Sequence, residues 1–311
     1  MLGRTAGNLY WMARYLERAE NTARLLGGTY RMSLLPRDDV GTSHSWESLF
    51  ITDAEKQKFL DTHKTFAPAA VITYLALDLE NPISIAASIR AARENVRATR
   101  HVLTAELWES INQTWLEIRA MTYADIKDMG QYEFFEWIKE RSHLFRGIVH
   151  GTMRRGEAYD FWRLGSFIER AENTAQLMLA KVDSFQGPAS RQENAVDFYQ
   201  WGTLLRSVNA YKTYREIYRG APEPRKVAEL MILKPDMPRS LRSCIDEIFE
   251  ILNRVRRNTE SAQLADVQRA MLITGQVDKI FRSGLDRYLT NFRTSANHLS
   301  SQIQIDFMMV R

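Results

Sequence analysis

Apolar residues recur at alternating spacings of three and four along most of this sequence, which is the period of an amphipathic helix. Runs that alternate between apolar and polar residues, as strands do, are few. Eight prolines and 15 glycines in 311 residues divide the pattern into long helical segments. Polar linkers are predicted near residues 35–45, 186–192 and 220–224. The sequence therefore predicts an all-α protein.

The first predicted helix covers about residues 6–32, and its apolar face recurs 152 positions later. That face consists of Leu9, Met12, Leu16, Ala19, Ala23, Leu26 and Tyr30. The residues 152 positions further on are Phe161, Leu164, Ile168, Ala171, Ala175, Met178 and Val182, all of them apolar. We therefore expect the two helices to bury equivalent faces.

A segment of seven residues is identical in these two helices. Glu-Arg-Ala-Glu-Asn-Thr-Ala occupies residues 17–23 and again residues 169–175. Such an identity between unrelated segments of a chain this size has a chance on the order of 10⁻⁴, so it indicates a duplication.

The correspondence continues beyond these helices. Residues 81–85 match residues 237–241, with a proline and a serine at the same positions ahead of a helical run. We therefore predict two related multi-helix halves that arose by internal duplication and pack as one helical body. The predicted halves cover residues 1–155 and 156–311.

The charged residues of the repeated segment need a separate explanation, because only its two alanines belong to the apolar face. In the favoured interpretation they form a structural ion-pair network around a pseudo-twofold axis. Each arginine would reach a glutamate of the opposite helix and neutralise charges that are costly to bury alone. The residues of this network are Glu17, Arg18, Glu20, Glu169, Arg170 and Glu172.

The same glutamates also allow a functional interpretation, in which they line a cleft and bind a metal or a cationic ligand. They are then the candidates for catalytic residues. These glutamates are Glu17, Glu20, Glu169 and Glu172. A third interpretation, exposed pairing between adjacent helical turns, contributes only about 0.2–0.5 kcal/mol per pair and does not explain identity over seven residues.

No metal is expected on this chain. A di-iron helical bundle needs two Glu-x-x-His pairs and two further glutamates. The repeated units read Glu-x-x-Glu, and the pair formed by Glu140 and His143 has no copy in the second half. The sequence also lacks a glycine-rich phosphate loop, a nucleophile elbow and the usual zinc motifs.

Four arginines form a second group, spaced three, four and three residues apart on one stripe of a predicted helix. They are Arg90, Arg93, Arg97 and Arg100. Like charges placed this closely repel, so a negative group should face them. The favoured partners are carboxylates of the first helix. A phosphate, a nucleotide or an acidic peptide of a partner comes next, and a nucleic-acid backbone is the least favoured.

This arginine stripe is not duplicated. The residues 156 positions further on are Asp246, Phe249, Asn253 and Arg256. We therefore predict one ligand or partner site of this kind per chain rather than two.

The composition favours bidentate anion recognition. Arginine accounts for 32 of the 42 basic residues, and the net charge is +4. Because the planar guanidinium pairs with carboxylate or phosphate through two hydrogen bonds, we expect many arginine–carboxylate pairs or a phosphate-bearing ligand.

The expected location is the cytoplasm, without a membrane span. The first twenty residues contain several charges, unlike a secretory signal. The longest uncharged and largely apolar run, residues 67–77, is shorter than the roughly 20 residues that a spanning helix needs. We expect it to form a core helix or turn.

The start of the chain resembles a known family. Residues 2–24 resemble the opening of the bacterial Alpha-E proteins, which are all-helical and are named for a Glu-Arg signature. Residues 167–172 resemble the second signature of that family, and residues 81–85 and 93–95 resemble an internal one. The likeness covers essentially the whole chain.

The resemblance implies partners rather than a reaction. Alpha-E proteins are typically encoded beside, or fused to, a circularly permuted ATP-grasp ligase, often with a transglutaminase-like protein. ATP-grasp enzymes activate a carboxylate as an acyl phosphate and transfer it to an amine. The implied function is that of an accessory partner in the synthesis or attachment of a small peptide or amide. ATP and magnesium would then be used by the ligase, with no cofactor on this chain.

Two matters stay open at this stage. The chain could instead be an enzyme itself, an acyl or aminoacyl transferase that uses the paired glutamates as a general base in a cleft between the halves. A homo-oligomer is also compatible with the sequence.

Overall fold

The computed structural model describes residues 1–34, 46–50, 53–182 and 201–309, and within these ranges all regular structure is helical, with no strand. The all-α prediction is therefore confirmed. Two of the predicted linkers, 35–45 and 186–192, lie outside the described residues. The third, 220–224, lies between two helices, and its last residue, Pro224, begins the second of them. No helix in the described ranges is long and apolar enough to cross a membrane.

The chain forms two compact units, each described here by itself. One unit comprises Asn8–Trp162, and we call it the N-terminal unit. The other comprises Met1–Gly7 together with Arg163–Arg311, and we call it the C-terminal unit. The division predicted between residues 155 and 156 stays a prediction of the sequence.

The helices of the N-terminal half of the chain are α1 (Gly3–Ser33), α2 (Asp53–Leu60), α3 (Pro68–Ala76), α4 (Ile85–Ala98), α5 (Ala105–Ile118), α6 (Tyr123–Met129) and α7 (Gln131–Thr152). In the N-terminal unit α4 packs on α3 and α5, and α7 packs on α5 and α6. The apolar run predicted at residues 67–77 forms α3, and most of its residues are buried.

The remaining helices are α8 (Glu157–Val182), α9 (Tyr211–Tyr218), α10 (Pro224–Ala228), α11 (Leu241–Val255), α12 (Glu260–Ile273), α13 (Val277–Ser283) and α14 (Leu285–Phe307). A π-helical turn, Glu229–Leu233, continues α10. In the C-terminal unit α12 packs on α11 and α14, while α13 packs on α10 and α14.

The apolar faces predicted for α1 and α8 are buried, as expected from their period. The exceptions are Tyr30 and Val182, the last members of the two faces, which are only half-buried. Tyr30 lies in the last turn of α1, and Val182 is the last residue of α8.

Two helices begin with the same serine cap. The Ser84 hydroxyl accepts a hydrogen bond from the backbone N–H of Ala87 at 3.1 Å at the start of α4. The Ser240 hydroxyl accepts one from the N–H of Ser243 at 2.9 Å at the start of α11. Each cap satisfies an otherwise unpaired donor and contributes about 1 kcal/mol.

A threonine of each repeated segment contacts the residue after the corresponding proline. Within the N-terminal unit the Thr22 hydroxyl donates to the Ile83 carbonyl at 3.4 Å. Within the C-terminal unit the Thr174 hydroxyl donates to the Arg239 carbonyl at 2.9 Å. These parallel contacts support the proposed duplication, which remains an inference from the sequence.

A glycine with positive φ precedes each of the two long helices α7 and α14. Gly130 has φ 99° and ψ 125°, and Gly284 has φ 90° and ψ 119°. A side chain is strained in this region of backbone conformation, so only glycine fits it readily. The turn that starts α7 thus depends on Gly130.

We predict that Gly130→Ala lowers the free energy of unfolding by about 1–3 kcal/mol, because alanine must adopt a positive φ. Chemical denaturation of the two proteins measures the difference. The matched control is Gly147→Ala inside α7, where an added Cβ meets nothing within 4 Å. That variant should gain up to about 1 kcal/mol through helix propensity. A Gly130→Ala protein as stable as the parent would contradict the role assigned to this turn.

Candidate functional site

The two glutamates of the first repeated segment lie inside the N-terminal unit. The side chain of Glu20 is 0% exposed and that of Glu17 is 2% exposed. They lie one turn apart on α1, on the side that faces α7. Two carboxylates at this depth require compensating charge, because an isolated buried charge is very costly.

Both carboxylate oxygens of Glu20 accept hydrogen bonds. Its Oε1 accepts from Arg24 Nε at 2.9 Å, one turn further along α1. Its Oε2 accepts from Ser142 Oγ at 2.7 Å, and also from the Arg146 guanidinium. Donors from α1 and α7 therefore enclose this single carboxylate.

Arg146 joins the two glutamates. Its guanidinium lies 3.4 Å from Glu17 Oε1 while it donates to Glu20. Glu17, Glu20, Arg24 and Arg146 thus form a group with two negative and two positive formal charges, which we call the buried ion cluster. Its charges balance, as expected for ionised groups away from water.

His143 lies at the exposed rim of the cluster. Its Nε2 is 3.7 Å from Glu20 Oε1 and 3.5 Å from a nitrogen of Arg24. Either ring tautomer is compatible with these positions, since the imidazole can accept from arginine or donate to glutamate. His143 is also the histidine of the Glu-x-x-His pair that has no copy in the second half.

The arginines of the repeated Glu-Arg pairs stack on aromatic rings. The Arg18 guanidinium lies 5.4 Å from the centre of the Tyr15 ring, and that of Arg170 lies 5.2 Å from the Phe167 ring. In both helices the aromatic residue precedes the arginine by three positions, as cation–π contact along a helix requires. Arg24 and Arg146, which the predicted network did not include, supply positive charge beside Glu17 and Glu20.

Those two cations could have been found from sequence only in part. Arg24 follows Glu20 by four residues, a spacing that brings side chains together on a helix. Arg146 is 126 residues from Glu20, and no local pattern connects them.

The second repeated segment lies in the C-terminal unit and has different surroundings. Glu169 is buried and Glu172 is half-buried. Gln176 occupies the position that corresponds to Arg24. Ser300 corresponds to Arg146, because each residue lies equally far after the glycine that precedes its helix, Gly284 or Gly130. The glutamates are therefore repeated, whereas the two cations of the buried ion cluster are not.

Within the described ranges, no group of three or more His, Cys, Asp or Glu residues is arranged to hold a metal ion.

Three of the four predicted arginines lie on α4, whereas Arg100 lies in the turn just after the last residue of that helix, Ala98. Arg90 donates to the Leu79 carbonyl at 3.0 Å. Arg93 Nε donates to Asn112 Oδ1 of α5 at 2.8 Å. The guanidiniums of Arg93 and Arg100 lie 5.2 Å and 4.7 Å from the centre of the Trp108 ring. We call Arg90, Arg93, Arg97, Arg100 and Trp108 the arginine face.

The carboxylate that pairs with the arginine face is that of Glu94, which lies on α4 as well. It lies 2.6 Å from Arg93 and 2.7 Å from Arg97. The sequence analysis favoured carboxylates of α1 instead, but those carboxylates pair with Arg24 and Arg146. The correction has a simple cause: Glu94 is within one turn of both arginines and needs no tertiary contact to reach them.

We predict that Glu20→Gln lowers the free energy of unfolding by about 3 kcal/mol, because it leaves buried arginine charge uncompensated and turns an amide donor toward other donors. Thermal and denaturant unfolding measure this loss. Glu247→Gln is the matched control, since Glu247 pairs with Arg163 near the surface and should cost about 1 kcal/mol or less. Equal losses in the two variants would show that burial does not increase the contribution of Glu20 to the free energy of unfolding.

Comparison with known proteins agrees with the resemblance of the opening segment. The family model Alpha-E, described as a predicted alpha-helical domain with a conserved ER motif, matches residues 1–308. No curated protein and no solved structure matches the sequence. Glu-Arg pairs occur in the matched range at residues 17–18 and 169–170, in the two helices described above, and at residues 140–141 in α7. Because the match covers essentially the whole chain, the protein belongs to the Alpha-E family.

Proposed function

We propose that this protein is a non-catalytic helical partner of a circularly permuted ATP-grasp ligase that forms amide or peptide bonds. The arginine face carries the proposal, since it offers several guanidiniums to an anionic surface or ligand. The class of partner comes from the family resemblance. The proposal places ATP and magnesium on the ligase, and a transglutaminase-like protein remains a second partner of the same system.

The geometry of the arginine face suits recognition of carboxylate or phosphate. Arg97 is 63% exposed, and Arg90 and Arg100 are exposed as well. Contacts with Leu79, Asn112 and Trp108 hold three of the four side chains. Side chains that are already held lose less conformational entropy on binding, so more of the interaction energy appears as affinity.

The charge of the face also favours an anionic partner. Glu94 supplies one negative charge among four guanidiniums. An acidic surface of the ligase, or the carboxylate or acyl phosphate that it handles, would complete the pairing with bidentate hydrogen bonds. Charges of this kind act mainly on the rate and specificity of association.

The buried ion cluster supports a structural role for the first pair of glutamates. A general base must lie within hydrogen-bond reach of its substrate. The side chain of Glu20 is fully buried, and both of its carboxylate oxygens already accept hydrogen bonds from protein groups. The side chain of Glu17 is almost as completely buried. These contacts favour the partner function over the rival proposal of an acyl or aminoacyl transferase.

The test is reconstitution with the neighbouring ATP-grasp ligase. We expect the two proteins to elute together and the yield of amide product, scored by mass, to change when this chain is present. Arg97→Glu combined with Arg100→Glu should weaken binding by about tenfold or more, equivalent to at least ~1.4 kcal/mol. Affinity should also fall with rising salt concentration, because the contact is between exposed charges.

The control is Arg257→Glu combined with Arg287→Glu, two exposed arginines of the C-terminal unit that change the net charge equally. This variant should bind like the parent. Absence of a complex, together with unchanged ligase turnover, would refute the proposal. Turnover by this chain alone that is lost in Glu17→Gln without loss of thermal stability would favour the transferase instead.

A further inference from the structure

A second group of charged side chains joins α1 and α7 of the N-terminal unit, apart from the buried ion cluster. Lys139 follows Glu136 by one helical turn, and its Nζ lies 2.5 Å from Glu136 Oε1. Arg31 of α1 lies 3.6 Å from the same carboxylate oxygen. Arg31 also donates to the Tyr132 hydroxyl, and its guanidinium lies 4.5 Å from the centre of that ring.

The side chain of Lys139 is mostly buried but still in contact with solvent. Its side chain is 17% exposed, and that of Arg31 is 40% exposed. Burial lowers the pKa of Lys139, the hydrogen bond and charge of Glu136 oppose that change, and the charges of Arg24 and Arg31 add to it. The net pKa lies below the ordinary value for lysine.

Glu136 stays ionised beside this lysine. Burial raises its pKa, but hydrogen bonds from Lys139 and Tyr132 and the charges of Lys139 and Arg31 outweigh burial. The net pKa of Glu136 is therefore below its ordinary value. A carboxylate in contact with Nζ can accept the proton that the ammonium releases.

The chain contains a matched pair with the opposite outcome. Lys226 also follows a glutamate by three residues, and its Nζ lies 2.7 Å from Glu223 Oε1. Its side chain is 38% exposed, and the hydrogen bond that Nζ donates to Glu223 raises the pKa of Lys226. The same spacing thus gives an ordinary surface pair at Lys226 and a desolvated amine beside two arginines at Lys139.

We propose that Lys139 is a nucleophilic lysine, the amine of this chain that reacts first with an acyl phosphate. The evidence is the contact of Nζ with Glu136, its restricted exposure and the neighbouring Arg31, whose partly exposed guanidinium can hold the phosphate of the donor. This inference rests on the proposed function for the acyl phosphate, whereas its protein groups lie on α1 and α7 and not on the arginine face.

The reaction balances without a further reagent. The Lys139 ammonium passes a proton to Glu136 and on to water, which leaves a neutral amine. The amine lone pair attacks the acyl carbon, so the Nζ–C bond forms and the C–O bond to phosphate breaks. Phosphate leaves with the bonding electron pair, and the second proton of the amine leaves through Glu136. The products are an amide at Lys139 and inorganic phosphate.

The experiment treats the full-length protein with limiting acetyl phosphate over a series of pH values and measures acetylation of each lysine by peptide mass spectrometry. We expect Lys139 to react about tenfold faster than Lys226, because its lowered pKa leaves a larger fraction of the amine neutral. Because the pKa of Lys139 is lowered and that of Lys226 is raised, the Lys139 rate should reach its half-maximum at the lower pH.

Two controls connect the result to the fold. Lys139→Arg keeps the positive charge, so the protein should stay folded by circular dichroism, lose this modification and leave the Lys226 rate unchanged. Unfolding in denaturant should abolish the preference, because burial and the two arginines no longer act on Nζ. Equal or faster modification of Lys226 in the folded protein would overturn the proposal, and so would a preference for Lys139 that survives unfolding.

Discussion

Glu20 places a negative charge in the interior of the N-terminal unit, and the need to compensate that charge constrains how α1 and α7 pack. Arg24 supplies one partner from the same helix, whereas Ser142 and Arg146 can reach the carboxylate only if α7 presents one particular face. Rotating either helix by one residue would separate these groups and leave buried charge uncompensated. The ion contact thereby specifies a register that apolar side chains alone would leave looser.

The same register brings the second group of charged residues together. Arg31 lies two turns beyond Arg24 on α1, and Lys139 lies about two turns before Arg146 on α7. Once Glu20 and Arg146 meet, Arg31 faces Glu136 and Tyr132. The lowered pKa of Lys139 is therefore a consequence of this packing, because burial lowers it most and the charges of Arg24 and Arg31 add to that effect from α1.

Comparison of the two units separates structural repetition from specialised chemistry. The serine caps, the threonine contacts and the glycine turns occur in both units. These features act on the backbone and support one helical plan for each half, in line with the proposed duplication. The partners of Glu20 and the arginine face belong to the N-terminal unit. The charged contacts on which both proposals rest are therefore made within this unit. One ligand or partner site per chain remains a prediction.

The sequence by itself was sufficient for the helical class, the family and the buried faces of α1 and α8. Each of these follows from local period and local motifs, since a helix brings together residues only three or four positions apart. The same rule placed Arg90, Arg93 and Arg97 on one stripe of α4, and it could have paired Glu94 with two of them and Arg24 with Glu20.

Only the tertiary structure decided which distant groups meet. Arg146 contacts Glu20, which is 126 residues away in the sequence, and Trp108 of α5 contacts Arg93 of α4 and Arg100 of the turn after α4. Lys139 and Lys226 have the same local spacing to a glutamate, yet their pKa values move in opposite directions. The physical reason is that burial and the charges of a neighbouring helix depend on helix packing, which the spacing of residues along one helix does not specify.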